Sequence, residues 1–298
     1  MRARSLSDRG ADAQMLSIMW KDFVLNNMVI ISNSARASVF RLTAIISILL
    51  IGGCSLMYAR LAYNFSALPE NKQILYEPGA EDLAKLVAEN YKASVGKVEK
   101  RQYLPFKDAG AIRIYVFNDR KHYANYSNTS ILTRGSSTTN EVYLSEKLRE
   151  NIARLPNILT HELSHVHIRQ YTGTLKYVDN IPGWFHEGVA VYVSSGGGAE
   201  KVSAQQAEAA LRSKPLFEPG DAGRIIGHKT AHNYGLTPHM YYRQASLFVE
   251  YLATVNPQEF KAAFLDLING SGFREVWVQH YKKSISQLWQ RYKNSIGA

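Results

Sequence analysis

The chain is predicted to adopt an α+β fold, with an N-terminal half that mixes helices with a small sheet and a mainly helical C-terminal half. Three observations lead there. Residues 111–117 (AIRIYVF) alternate Ile112, Ile114 and Val116 with Arg113, Tyr115 and Phe117, the two-residue period of a strand with one face on a core. Leu83, Leu86, Val87 and Tyr91 recur at helical spacing in AEDLAKLVAENY. Beyond Glu150 helix-period segments follow one another, and no internal repeat is visible.

Taken in order, the first helix begins near Ala80, and Gly96 is expected to stop it. The 111–117 strand follows. A stretch rich in Ser, Thr and Asn (126–140) leads to EVYLS, a short β-prone run expected as an edge strand. Residues 150–171 read as helix, with Pro156 marking either its start or a kink. Pro182-Gly183 precedes a helix over 187–193. Ser194-Ser195-Gly196-Gly197-Gly198 is expected as a flexible break, and without a following Lys-Ser or Lys-Thr it is no phosphate loop. Asn256 caps and Pro257 opens a helix that buries Phe260, Phe264, Leu267 and Ile268 before Gly270 ends it. Ser284 and Gln287 form a capping box ahead of Leu288, Trp289 and Tyr292.

Composition limits the function classes. The 298 residues are 46% hydrophobic and 20% charged, which excludes a disordered or collagen-like chain, and a single cysteine excludes a disulfide framework. Lys plus Arg number 35 against 25 Asp plus Glu, a formal charge of +10 that raises the question of nucleic acid. Part of the excess sits in residues 1–60, where Arg2, Arg4, Arg9, Lys21, Arg36, Arg41 and Arg60 face Asp8, Asp12 and Asp22. The rest is diffuse. With no basic run and no zinc-finger, RNA-binding or helix-turn-helix signature, nucleic acid is not an expected partner.

Residues 42–59 carry no charge, and the run LTAIISILLI ends in Gly52-Gly53-Cys54-Ser55 with Arg36 and Arg41 upstream. A basic segment before a short apolar one is the pattern of a secretory signal. Within it, LIGGC resembles the lipobox of bacterial lipoproteins, where small residues admit a peptidase and the cysteine is lipidated to become the new N-terminus. The uncharged length also approaches that of a membrane-spanning helix, and LMYARLAY continues its apolar character. An uncleaved signal anchor is therefore the second reading, and a buried or accidental segment the third. Both leading readings place a membrane-tethered domain in the cell envelope, outside the cytoplasm, because the arginines precede the apolar stretch. Residues 1–60 are expected to be a leader and signal or anchor segment, with Met28 an alternative start.

Chemistry concentrates in ILTHELSHVHIRQ. On a helix, His161 and His165 lie on one face about 6 Å apart along the axis, so both imidazoles reach one metal ion. Glu162 is one step round, placed to take a proton from zinc-activated water. Glu187, in IPGWFHEGVAVYV, is the candidate third ligand, since catalytic zinc takes three protein ligands and two His with one Glu is one such set. The bland alternatives are a solvated amphipathic turn and a structural zinc site, the latter having no need of Glu162. Gly188 and Trp184 read as a close helix contact and a core aromatic. His228 and His232 are four apart in HKTAH but lack a Glu between them, and Gly227 and Gly235 mark that segment as a loop rather than a second metal site.

HELSH followed by a linker and then PGWFHEGVAVYV resembles the gluzincin metallopeptidases, specifically the bacterial peptidase-MA-like group with its HELxH and PxWxxEGxA helices. MYYRQASLFVEYL is similar to that family's helix after the third ligand, so the resemblance spans residues 110–298. It implies a zincin-like metallopeptidase domain over residues 61–298, with an α/β half carrying the HExxH helix (61–171) and a helical half carrying the third ligand (172–298). It further implies one Zn2+ held by His161, His165 and Glu187, Glu162 as the catalytic general base, and endopeptidase action on a peptide or protein substrate; EVYLS, as the expected edge strand, is where an extended peptide would lie. Two other functions fit the same motif: an envelope-anchored binding or scaffold protein with an idle zinc site, and a zinc hydrolase of a non-protein amide such as a cell-wall peptide.

The chain departs from the family pattern in two places. Val191 stands where a carboxylate often supports a ligand imidazole, leaving that role to Asp179 or a backbone carbonyl. His167 stands where an apolar residue is usual and is read as a surface or helix-end charge, with His186 likewise rotated off the ligand face. The family's oxyanion donor is a Tyr or His near zinc, for which Tyr171, Tyr177, His232, Tyr234 and Tyr242 are the candidates.

Overall fold

The computed structural model describes residues 63–221, 223 and 229–298. The expected leader and signal or anchor over residues 1–60, with Cys54, lies outside the described residues, as does His228. Among the described residues one mixed sheet is formed by β1 (Ser66–Leu68), β2 (Asn71–Tyr76), β3 (Arg113–Val116), β4 (Gly135–Ser137) and β5 (Glu141–Leu144), in the order β1-β2-β3-β5-β4. β2, β3 and β5 run parallel, flanked by antiparallel β1 and β4.

The alternating run at 111–117 supplies β3, the centre of the sheet. Ile114 stands beside Ile74 and Val142 on one face, and all three are fully buried beneath α1 (Glu81–Gln102) and α3 (Leu155–Asn180). The other face is covered as well. There Tyr115, Phe117 and Tyr143 pack with Tyr123 and Tyr126 of α2 (Arg120–Ser127), largely as tilted and edge-to-face ring pairs.

EVYLS was expected at the edge, but it forms β5, an interior strand. The edge is β4, drawn from the polar stretch before it. Gly135, Ser136 and Ser137 have little strand preference of their own and are held extended by pairing with Leu144, Tyr143 and Val142. A second correction concerns α1, which passes through Gly96 and ends where Tyr103 adopts a left-handed backbone (φ 67°). Gly96 faces open space, while Ser94, Val98 and Gln102 continue the buried stripe. That packing outweighs the roughly 1 kcal/mol that a helical glycine costs.

Pro156 lies in the first turn of α3 and so marks its start, after a 3-10 stretch over Glu146–Arg154. α3 continues beyond residue 171 to Asn180, broken only at Gly173 (φ 73°). Then come α4 (Gly183–Ser194), α5 (Ala204–Ser213), α6 (Pro238–Val255), α7 (Pro257–Ile268), α8 (Phe273–Tyr281) and α9 (Ile285–Ser295). Both bonds of the Ser284 and Gln287 capping box are made at α9. Pro257 opens α7 and Phe260, Phe264, Leu267 and Ile268 are buried, but Asn256 makes no side-chain cap bond at this junction, where it also ends α6.

α4 crosses α6 at Gly188, where a Cβ would stand 2.8 Å from the Ala245 carbonyl oxygen and 2.9 Å from Val249 Cγ2. Only glycine allows that approach. Trp184 is a core aromatic packed on Phe248 and Phe273, with its indole N–H donated to the Gly220 carbonyl at 2.8 Å. Among the described residues no helix is long and apolar enough to cross a membrane.

Candidate metal centre

α3 carries His161 and His165 one turn apart, and their Nε2 atoms approach to 3.1 Å. Glu187, in the second turn of α4, brings Oε2 to 3.4 Å from His161 Nε2 and 3.6 Å from His165 Nε2. The three side chains can hold a metal ion, and no other group of three or more His, Cys, Asp or Glu residues with that capacity occurs among the described residues. Glu187 Oε2 is buried without a hydrogen-bond donor. A buried carboxylate oxygen in that position is costly unless a cation faces it.

The protonation of the rings follows from their outer partners. His161 Nδ1 lies 2.9 Å from the carbonyl of Gly197, which only accepts, so Nδ1 carries the hydrogen and the neutral ring presents its Nε2 lone pair to Glu187. His165 Nδ1 lies 2.9 Å from the Tyr177 hydroxyl, which can donate or accept; in the tautomer where Nδ1 donates, the ring turns a second lone pair inward. Burial pushes the pKa of His165 down, favouring the neutral form. Burial opposes ionisation of Glu187, yet His165, His161 and His186 hold its carboxyl well below the usual range. For His161, burial is outweighed by Glu187 and Glu162, which raise its proton affinity. The centre therefore attracts a cation, whether proton or metal.

Gly197 belongs to the break expected to be flexible. It is a packed turn instead, with Gly196 and Gly197 buried and Ser195, Gly196 and Gly198 at φ 61°, 106° and 83°. A Cβ at Gly198 would stand 2.9 Å from His161 Cε1, so the turn lies directly against the His161 ring. With both Nδ1 atoms engaged, a backbone carbonyl and a tyrosine hydroxyl supply the outer support, and neither position is left for Asp179. Val191 is fully buried in the core.

Glu162 is buried beside the triangle of donors and not part of it. Its Oε2 accepts the Ser137 hydroxyl of β4 at 2.9 Å. Arg169, one turn beyond His165, donates to the Ser137 carbonyl and hydroxyl at 3.0 and 3.2 Å and lies 4.2 Å over the Tyr177 ring. One guanidinium thus ties the edge strand to the helix. Gly135 permits the approach, since a Cβ there would meet Glu162 Cγ at 2.9 Å. Sequence patterns carried no sign of Ser137 or Arg169, because their roles arise from β4 folding back over α3.

His167 is neither a surface residue nor a charge. It is fully buried, Nε2 donates to the Leu104 carbonyl at 2.9 Å, the ring packs edge-to-face on Phe106, and burial pushes its pKa down to about 4. It stays outside the donor triangle, as does His186, whose ring rests 4.6 Å from that of Tyr177. Among the oxyanion candidates, Tyr171 bonds the Pro105 carbonyl, Tyr234 the Glu218 carbonyl and Tyr177 the His165 ring. Tyr242 sits with its ring 6.3 Å from that of His161, and the charge of Glu187 followed by burial raises its pKa far enough to keep it protonated. With Tyr241, His232, Lys229 and Leu236 it lines a pocket of about 370 Å³ beside Glu187. No protein-family model matches the chain, and no match is found among curated proteins.

Proposed function

We propose that the chain is a zinc-dependent endopeptidase with a zincin-like domain of gluzincin type, tethered to a membrane and facing away from the cytoplasm. The observation that carries this reading is the donor triangle, with edges of 3.1, 3.4 and 3.6 Å. Tetrahedral zinc with ligand bonds near 2.0–2.2 Å sets its donors about 3.3–3.6 Å apart, and two imidazoles with one carboxylate are a set that catalytic zinc uses. The fit extends to the unpartnered Glu187 Oε2 and to the two rings whose outer nitrogens are already engaged. When bound, the ion supplies Lewis acidity that acidifies water and polarises a carbonyl.

The chain's own residues perform the proton transfers. Glu162, steadied by Ser137, takes a proton from water as the water oxygen attacks the peptide carbonyl carbon, and delivers that proton to the amine as the C–N bond breaks. Tyr242, held protonated, is the hydroxyl assigned to the developing oxyanion. The extended substrate lies along β4, not EVYLS. Thr138 N–H and the Arg134 carbonyl bond to β5, so by strand alternation Gly135 and Ser137 turn their main chain outward, beside Glu162; Arg169 takes the Ser137 carbonyl, and the Gly135 main chain and the Ser137 N–H are the groups assigned to the substrate.

The test is to load the full-length chain with zinc and screen a peptide library with wild type and Glu162→Gln. Wild-type cleavage, with a loss of about 10²–10⁴-fold in a Glu162→Gln variant that keeps its zinc, is the expected result. A zinc-replete wild type that cleaves no peptide would overturn the endopeptidase reading.

A further inference from the structure

We propose that Glu200 is a positioning residue for His161, acting through the peptide unit between Gly197 and Gly198; the inference rests on the zinc-centre reading above. The carbonyl of that unit, on Gly197, accepts His161 Nδ1–H at 2.9 Å. The amide N–H of the same unit, on Gly198, donates to Glu200 Oε1 at 3.1 Å. A carboxylate and a ligand imidazole are therefore joined across one planar amide. An anion on the N–H shifts electron density toward the carbonyl oxygen, since hydrogen bonds in a chain polarise one another. The stronger acceptor makes the opposite ring nitrogen, Nε2, a better donor to a metal.

The surroundings hold this arrangement in place. Glu200 is largely buried, its side chain 14% exposed, with Oε2 3.7 Å from His239 Nδ1 on α6. Arg243, one turn further along α6, donates to the carbonyls of Val202 and Ala199 at 2.8 and 3.2 Å, fixing the turn on both sides of Glu200. Gly197 N–H is bound by Ser194 Oγ at 2.9 Å. Gly198, at φ 83° and with His161 against it, lets the peptide plane face both partners. Glu200 brings a negative charge to His161 by this indirect route.

The experiment measures zinc affinity of the full-length chain by competition with a chromophoric chelator, alongside the melting temperature of the metal-free protein, for wild type, Glu200→Gln and Glu200→Ala. Glu200→Gln keeps an acceptor for Gly198 N–H and loses the charge. The expected result is zinc binding weakened about 10–100-fold in Glu200→Ala and by an intermediate factor in Glu200→Gln, with metal-free melting unchanged in Glu200→Gln. In the zinc-loaded protein the His161 Nδ1–H proton resonance should move upfield in Glu200→Gln, which a purely structural role would not produce. Wild-type affinity in both variants would overturn the proposal, as would an affinity loss in Glu200→Gln matched by a fall in its metal-free melting temperature. A wild type that takes up no zinc would instead sink the metal-centre reading itself.

Discussion

Gly135→Ala isolates the seating of the general base from the binding of metal. The added methyl would stand 2.9 Å from Glu162 Cγ and Ile158 Cγ2 and 3.1 Å from Glu162 Oε1. Carbon atoms pack comfortably at about 3.5–4.0 Å, so the strand and helix must part by about 0.6–1 Å, or Glu162 must swing away. Gly135 is not at positive φ, so the backbone itself tolerates alanine and the perturbation is steric. Either adjustment opens the 2.9 Å bond from Ser137 to Glu162. Overpacking of this size costs about 1–3 kcal/mol of stability, and a catalytic group displaced by about 1 Å loses on the order of 10²-fold in rate. The donor triangle does not include Glu162, so zinc content should hold. Peptide hydrolysis, zinc quantification and thermal melting on one preparation make the test. A kcat within about twofold of wild type would refute the steric reasoning, and so would a loss of zinc in parallel with activity.

Three further outcomes follow from the site and its surroundings. Tyr177→Phe removes the hydroxyl from His165 Nδ1 and should weaken zinc binding about 10–100-fold in a chelator competition, leaving cleavage by the fully loaded protein much less affected. Zinc affinity should fall on acidification from above the ordinary imidazole range, because Glu187 and Glu162 raise the proton affinity of His161 against the opposing effect of burial; chelator competition across pH checks the onset. His167 is depressed from 6.5 to about 4, so the unfolded chain binds the extra proton between those values, and the stability present above pH 6.5 is lost as pH falls toward 4. The loss amounts to about 3 kcal/mol, and urea unfolding at both ends of that window should show His167→Gln losing correspondingly less than wild type.

The parts of the site that were legible are those built from one helix at a time. His161 and His165 are readable because four residues make about one turn, and Glu187 because the residues around it, from Pro182 to Gly188, mark a second helix with a close contact on one side. Gly197 and Tyr177 were not assigned to the rings for a different reason: a backbone carbonyl has no sequence signature, and Tyr177 reaches His165 only because α3 runs on past Gly173. The edge strand was misplaced on the same grounds. Val142, Tyr143 and Leu144 have strand-forming side chains that show in the sequence, whereas Gly135–Ser137 becomes a strand through pairing alone. Gly96 shows the converse, a local breaker overruled by the buried residues on either side of it. His167 looked like a charge because its burial depends on the segment around Leu104 and Phe106 closing over it.

Zinc K-edge X-ray absorption on the metal-replete full-length chain tests the central claim most directly. The expected result is one zinc per chain, with two imidazoles and oxygen donors at about 2.0–2.2 Å, and with both zinc and spectrum lost in Glu187→Ala. Absence of bound zinc in the wild type, or zinc retained in an unchanged shell when Glu187 is removed, would contradict it.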